Sequence, residues 1–197
     1  MRSSKPLHLA DLDPQRVTDE LTGEVHARAK RDALRLGLVL SLPASPTPEP
    51  KTLPVATVLG QSKFYKLTYA CVEWAKLGKG KLEHVADSLR QLRADLDGVE
   101  PGEVSGREWD LTTAAGVVLV AAEARLALAE GRTVEAIEIA TLASVDERSI
   151  RATVQAGTLT PVGPGRPMRF AADVAHQYLY ARGVPGFAAP SPRVGPL

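Results

Sequence analysis

The chain has 197 residues, with 24 Lys and Arg against 23 Asp and Glu and a formal net charge of +1. That length fits one larger domain or two small ones, and 44% hydrophobic residues suffice for a core, whereas 5% aromatics leave the packing to Ala and Leu, as in helical proteins. So even a charge balance excludes binding to nucleic acid or membrane through net charge alone, and any such surface must be local.

Residues 1–13 carry charge without the apolar stretch of a secretory signal. Asp13-Pro14 is a helix start, an N-cap side chain followed by proline at the first helical position. Val17, Leu21, Val25 and Ala29 continue as a four-residue stripe, extended by Leu34, Leu38 and Leu42. His26, Arg28, Lys30, Arg31 and Arg35 form a basic cluster, balanced as a solvated face by Asp19, Glu20, Glu24 and Asp32. Five prolines between Pro43 and Pro54 rule out helix and predict an extended, semi-rigid linker.

Three helices are then predicted. Residues 62–77 place Phe64, Leu67, Tyr69, Ala70, Val72 and Trp74 over most of the helix circumference. Cys71 lies here as a half-buried thiol, and a single cysteine excludes an intrachain disulfide. In residues 81–96 the stripe Leu82, Val85, Ala86, Leu89, Leu92 and Leu96 opposes Glu83, Asp87, Arg90, Arg93 and Asp95, an amphipathic pattern. Residues 111–129 are apolar nearly all round, as in a helix buried on most sides, with Trp109 and Asp110 at the start and Gly131 at the end. The most apolar run, Ala114 to Ala122, is about half a membrane span, so no membrane crossing is expected.

From Thr133 the pattern shortens. Thr133 reads as an N-cap, with Val134, Ile137, Ala140 and Leu142 as the apolar stripe of a short helix. The small residues Ala140, Ala143 and Ser144 permit a tight turn, and Asp146 reads as the next N-cap. The following helix runs from Glu147 to about Ala156, burying Ile150 and Val154, and Gly157 stops it. Two extended runs, 158–162 and 168–170, flank a Gly/Pro tip at 163–167, the pattern of a small hairpin. Asp173, Val174, Tyr178 and Leu179 predict a closing helix that ends near Gly183.

The run from Ile137 to Val174 resembles the MerR and excisionase type of winged helix-turn-helix. The likeness lies in the small Ala140 within the first helix, the β-branched Ile150 in the second, the exit Ala156 to Leu159, the arginine-bearing tip, and Phe170 with Val174 leading into the last helix. Ser144 stands where such domains usually carry glycine. The resemblance implies duplex DNA binding, with Glu147, Arg148, Ser149, Arg151 and Gln155 toward the major groove and Arg166 and Arg169 toward phosphate or the minor groove.

The expected fold class is therefore mainly α: a helical bundle joined to a C-terminal winged helix-turn-helix with a small β-hairpin wing. The expected segments are an N-terminal helical arm (1–42), a Pro-rich linker (43–54), an α-helical domain for dimerisation or partner binding (55–130), the winged domain (131–183) and a flexible tail (184–197). Between Gly131 and Gly183 six arginines face five carboxylates, so one copy should bind DNA weakly and a homodimer is expected. The function expected is a cytoplasmic, bacterial, sequence-specific transcriptional regulator. Alternatives are an excisionase-like or architectural factor of a mobile element, or an adaptor whose winged domain docks a protein. His8, His26, His84 and His176 are scattered without metal-ligand spacing, the Gly163–Pro167 tip lacks the Lys-Ser/Thr pair of a phosphate loop, and no serine sits in a nucleophile elbow. No catalytic residue, metal or cofactor is expected.

Overall fold

The computed structural model describes residues 7–21, 23, 63–97 and 110–189. The stripe from Val25 to Leu42, the basic cluster His26 to Arg35, the proline linker, Trp109 and residues 190–197 lie outside the described residues, as do the side chains of Phe64, Asp95 and Leu96. The architecture is mainly helical, with one small antiparallel sheet of two strands.

A short 3₁₀ turn at Leu9–Asp11 leads into helix α1 (14–21), whose Asp13 carboxylate accepts from the Arg16 backbone N–H at 3.2 Å, so the expected cap is present. Val17 and Leu21 are buried. Helices α2 (Lys63–Leu77) and α3 (Leu82–Asp97) form an antiparallel pair against α4 (Ala114–Ala129). Val85, Leu89 and Leu92 of α3 face this core, while Leu82, at the helix end, is exposed.

Helix α4 is the axis of the molecule. It packs on α2 and α3 and on the C-terminal elements, so 11 of its 16 residues are buried, as its all-round apolar sequence requires. It begins three residues later than the sequence reading, because Asp110 first builds a turn. Its carboxylate accepts from the Thr112 hydroxyl and backbone N–H, which hold its pKa below the usual carboxylate range. Thr113 is then the N-cap, accepting from Gly116 N–H at 3.1 Å. Gly116 has a steric reason: a Cβ there would lie 2.1 Å from the Asp110 carbonyl oxygen.

Small residues let α2 approach α4 closely, and Trp74 Nε1–H donates to the Ala122 carbonyl at 3.2 Å. One turn on, Arg125 is 4% exposed and makes no ion pair among the described residues. Its guanidinium instead donates to the Ala75, Lys76 and Pro185 carbonyls at 3.0, 3.4 and 2.6 Å and lies 4.5 Å from the Phe187 ring centroid. Burial lowers its pKa to about 10, so it stays cationic at neutral pH. The orphan carbonyls and negative dipole end of α2 supply the compensation that a carboxylate usually gives. Pro185 and Phe187, within the segment expected as a flexible tail, thereby lie against Arg125 of α4. Burial also pushes the Cys71 thiol up to about 12, leaving it protonated.

Beyond α4 the chain forms strand β1 (Val134–Glu135), α5 (Ala136–Leu142), α6 (Glu147–Gln155), strand β2 (Arg169–Phe170) and α7 (Ala172–Ala181). Thr133 is not the helix cap that the sequence predicts. Val134 and Glu135 are extended and pair antiparallel with Phe170 and Arg169, and Glu135 occupies the N-cap position. Val134 and Phe170 are both fully buried, so the two-residue sheet closes over the same core as α5 and α7. Ile139, rather than the expected Ile137, joins Ala140 and Leu142 on the buried face of α5.

Candidate nucleic-acid interface

Helices α5 and α6 are joined by Ala143 to Asp146. Ser144 N–H donates to Thr141 O and Val145 N–H to Ala140 O, the paired bonds of a Schellman turn. The same pattern ends α4, α6 and α7, with Gly131, Gly157 and Gly183 at φ of 72, 73 and 71°. In the α5 turn Ser144 takes that place, at φ 53°. The backbone therefore enters the left-handed region that a serine Cβ disfavours. In return, the Ser144 hydroxyl accepts from Ala10 N–H at 3.0 Å, tying residues 9–11 to the turn.

Asp146 is the N-cap residue of α6 as expected, but its side chain makes no cap bond, and Ser149 N–H reaches the Asp146 backbone oxygen at 2.8 Å. Ile150 is fully buried and Val154 half-buried, which turns Arg148, Arg151 and Gln155 outward. Glu147 and Ser149 are half-buried on opposite flanks. Arg151 Nη2 pairs with Glu147 Oε1 at 2.7 Å, whereas Arg148 makes no ion pair among the described residues.

The segment after Gly157 departs from the predicted hairpin. Residues 158–162 form no strand; one backbone bond, Val162 N–H to Arg169 O at 2.8 Å, links them to β2, whose strand partner is β1. Pro161 has no N–H to offer a ladder, and buried Leu159 anchors the segment to the core instead. The 163–167 tip is exposed, Arg166 included, with Val162 beside it 57% exposed. Arg169 reaches the Glu135 carboxylate opposite it at 3.3 Å.

One cleft of about 750 Å³ runs between the Glu147–Arg151 flank of α6 and the Gly165–Met168 loop, floored by Ile137, Val120 and Leu111. The structure brings Glu147, Arg151 and Arg166 together there and leaves Arg148, Ser149 and Gln155 outside; Arg169 meets the cleft only through Glu135. Sequence reasoning missed Arg93, Glu123 and Glu135, which also line it. Arg93 Nη1 contacts Glu123 Oε1 at 2.7 Å across α3 and α4, a pairing that no local spacing encodes. The cleft is thus lined by three arginines and three glutamates.

At the near end of α5, Glu138 accepts from Glu135 N–H at 2.6 Å. Desolvation raises its pKa despite that bond, and the charges of Glu135 and Glu123 push it further in the same direction. Among the described residues no group of three His, Cys, Asp or Glu side chains could hold a metal ion, and no helix is long and apolar enough to cross a membrane. Comparisons of the chain with protein-family models, with curated proteins and with solved structures give no match.

Proposed function

We propose that this chain is a sequence-specific DNA-binding regulator that acts as a homodimer through a winged helix-turn-helix. The observation that carries the reading is that Arg151, on the Glu147 flank of α6, faces the exposed Arg166 loop across one cleft, with Arg148 and Gln155 exposed on the same helix outside it. A short helix and an adjacent basic loop suit one groove and the neighbouring phosphates. The α5–α6 turn and the α6 stop support the same reading, since both fix how far α6 projects.

The electrostatics favour two copies. Arg148 and Arg166 make no ion pair among the described residues, so each protomer brings about two unneutralised arginines to phosphate. A dimer making about four such contacts should show a log–log salt slope of about −3.6, a loss of about a hundredfold between 50 and 200 mM salt. Titration of the full chain with its own upstream duplex at several salt concentrations tests this. Binding that ignores salt, or none at low salt, overturns the proposal.

A second reading has one observation in its favour. The cleft glutamates Glu123, Glu135 and Glu147 repel phosphate, which suits an adaptor that docks a protein segment. In that reading the winged domain, or the helices within 55–130, holds the partner, and the salt titration above gives no duplex binding.

A further inference from the structure

We propose that Glu147 and Arg151 act as one preassembled edge that reads a single G·C base pair in the major groove, which makes Glu147 a specificity-determining residue. This rests on the DNA-binding reading above and deepens it. A G·C pair presents, in order across the major groove, the acceptors guanine N7 and O6 and then the donor cytosine N4. The protein edge is the complement: two Arg151 guanidinium nitrogens donate, and the Glu147 carboxylate accepts.

The two protein groups are adjacent, as are the two base atoms they would meet. Arg151 Nη2 and Glu147 Oε1 are 2.7 Å apart. The guanine O6 and cytosine N4 atoms are joined by a hydrogen bond of about 2.9 Å. The free lone pair of O6 and the free N4–H diverge from that bond, so Arg151 meets O6 through its second Nη2 proton and Glu147 meets N4 through Oε2, while Oε1 keeps the ion pair. Nη1, the second Nη2 proton and Glu147 Oε2 carry no hydrogen bond among the described residues, so the contact forms without breaking the ion pair.

The pair sits one helical turn apart on one flank of α6, with the Arg151 side chain 61% and the Glu147 side chain 35% exposed. Because the two side chains already hold each other, less rotamer freedom is lost on binding. An A·T pair in the same place sets its N6 donor against Arg151 and its thymine O4 acceptor against Glu147, two like-sign contacts. The carboxylate also repels phosphate, so it penalises non-specific duplex while it favours cytosine.

The test is selection of sites from random duplex DNA by the full chain, followed by point changes in the selected site. The wild type should prefer dG·dC over dA·dT at one position by about ten- to a hundredfold. Glu147→Ala and Arg151→Ala should each reduce that preference to about threefold or less, with Glu147→Ala binding random duplex more tightly than wild type. Replacing that guanine with 7-deazaguanine, which removes N7 and leaves the protein untouched, should weaken wild type about tenfold and Arg151→Ala not at all. Selected sites that bind tightly with no G·C position sensitive to both variants overturn this inference and leave DNA binding standing. Failure to select any duplex at low salt removes both.

Discussion

Ser144 offers a measurement of backbone strain with its own internal control. Four helices end in the same hydrogen-bonded turn, and at the position that needs positive φ three have glycine while α5 has Ser144 at 53°. An L-residue there costs on the order of 1–2 kcal/mol relative to glycine in the folded state, and glycine's extra freedom when unfolded returns about 0.5–1 of that. The Ser144 hydroxyl adds its bond from Ala10 N–H at 3.0 Å, which is solvent-accessible and worth about 0.5–1 kcal/mol. Ser144→Ala keeps the strain and loses the bond, so it should destabilise by about 1 kcal/mol. Ser144→Gly loses the bond and the strain together and should come out near neutral. Both variants lack the hydroxyl, so their difference isolates the backbone: glycine should be about 1 kcal/mol more stable, or about 2–4 °C in Tm for a chain of this size. Urea unfolding followed by helical circular dichroism reads it directly. Equal stability of the two variants would refute the left-handed turn.

Other sites carry equally definite expectations. Arg125→Met, which keeps the aliphatic volume but leaves the Ala75, Lys76 and Pro185 carbonyls without their donor, should cost about 2–3 kcal/mol and speed tryptic cleavage after Arg182. Gly116→Ala gains about 1 kcal/mol in helix propensity, yet its Cβ would stand 2.1 Å from Asp110 O; displacing the Asp110–Thr113 turn should leave a net loss of about 1–2 kcal/mol by denaturant titration. Glu138 has a folded-state pKa above its unfolded value, so its burial disfavours folding above that pKa, and the penalty fades as pH falls through it toward the unfolded value. Glu138→Gln should therefore be the more stable protein at pH 7, with its advantage shrinking on acidification; a constant difference from pH 7 to 4 would contradict the buried position.

What the sequence reveals and what it hides follow from the range of the interactions. Helix faces were legible from apolar residues recurring at three and four positions at Val85, Leu89 and Leu92 and at Ile150, but not at Leu82 or Ile137. Helix stops were legible at Gly131, Gly157 and Gly183 because positive φ selects glycine locally. At Ser144 the tight turn was legible but its positive φ was not, since the residue's support comes from Ala10, 134 residues away. Val134–Glu135 read as a first helical turn because a two-residue strand carries no period, and only its partner Arg169–Phe170 makes it a strand. Arg125 lies just beyond the apolar run Ala114 to Ala122 in sequence, and its burial by carbonyls of α2 and of the C-terminal segment is not encoded locally. Gly186 read as tail composition, yet a Cβ there would lie 2.5 Å from Leu77 O, so its glycine serves close packing. At the candidate interface, the exposed arginines of α6 were legible from helix periodicity. Their glutamate partners were partly so: Glu147 at i, i+4 was in reach of sequence, Glu135 across the sheet was not.

The same long-range dependence bears on whether the C-terminal elements are a separable unit. Composition places a boundary at 130/131, but α4 lies on both sides of it physically, packed on α2 and α3 and equally on β1, α5 and α7. Val117, Val118, Leu119 and Leu128 of α4 are all buried, and each such side chain contributes about 1.5–3 kcal/mol. If half of that burial is against the C-terminal elements, a fragment of residues 131–189 forgoes on the order of 3–6 kcal/mol, a large part of the 5–15 kcal/mol typical of whole domains. It also uncovers Ile139, Val134 and Leu179, each fully buried in the intact chain. The fragment 131–189 should therefore lack a cooperative thermal transition and give poorly dispersed amide resonances, while a fragment from 110 that restores α4 regains α5 and α7 packing. A cooperative, well-dispersed 131–189 fragment would mean that α4 belongs to the N-terminal bundle alone. The orientation of α6 would then be set without it.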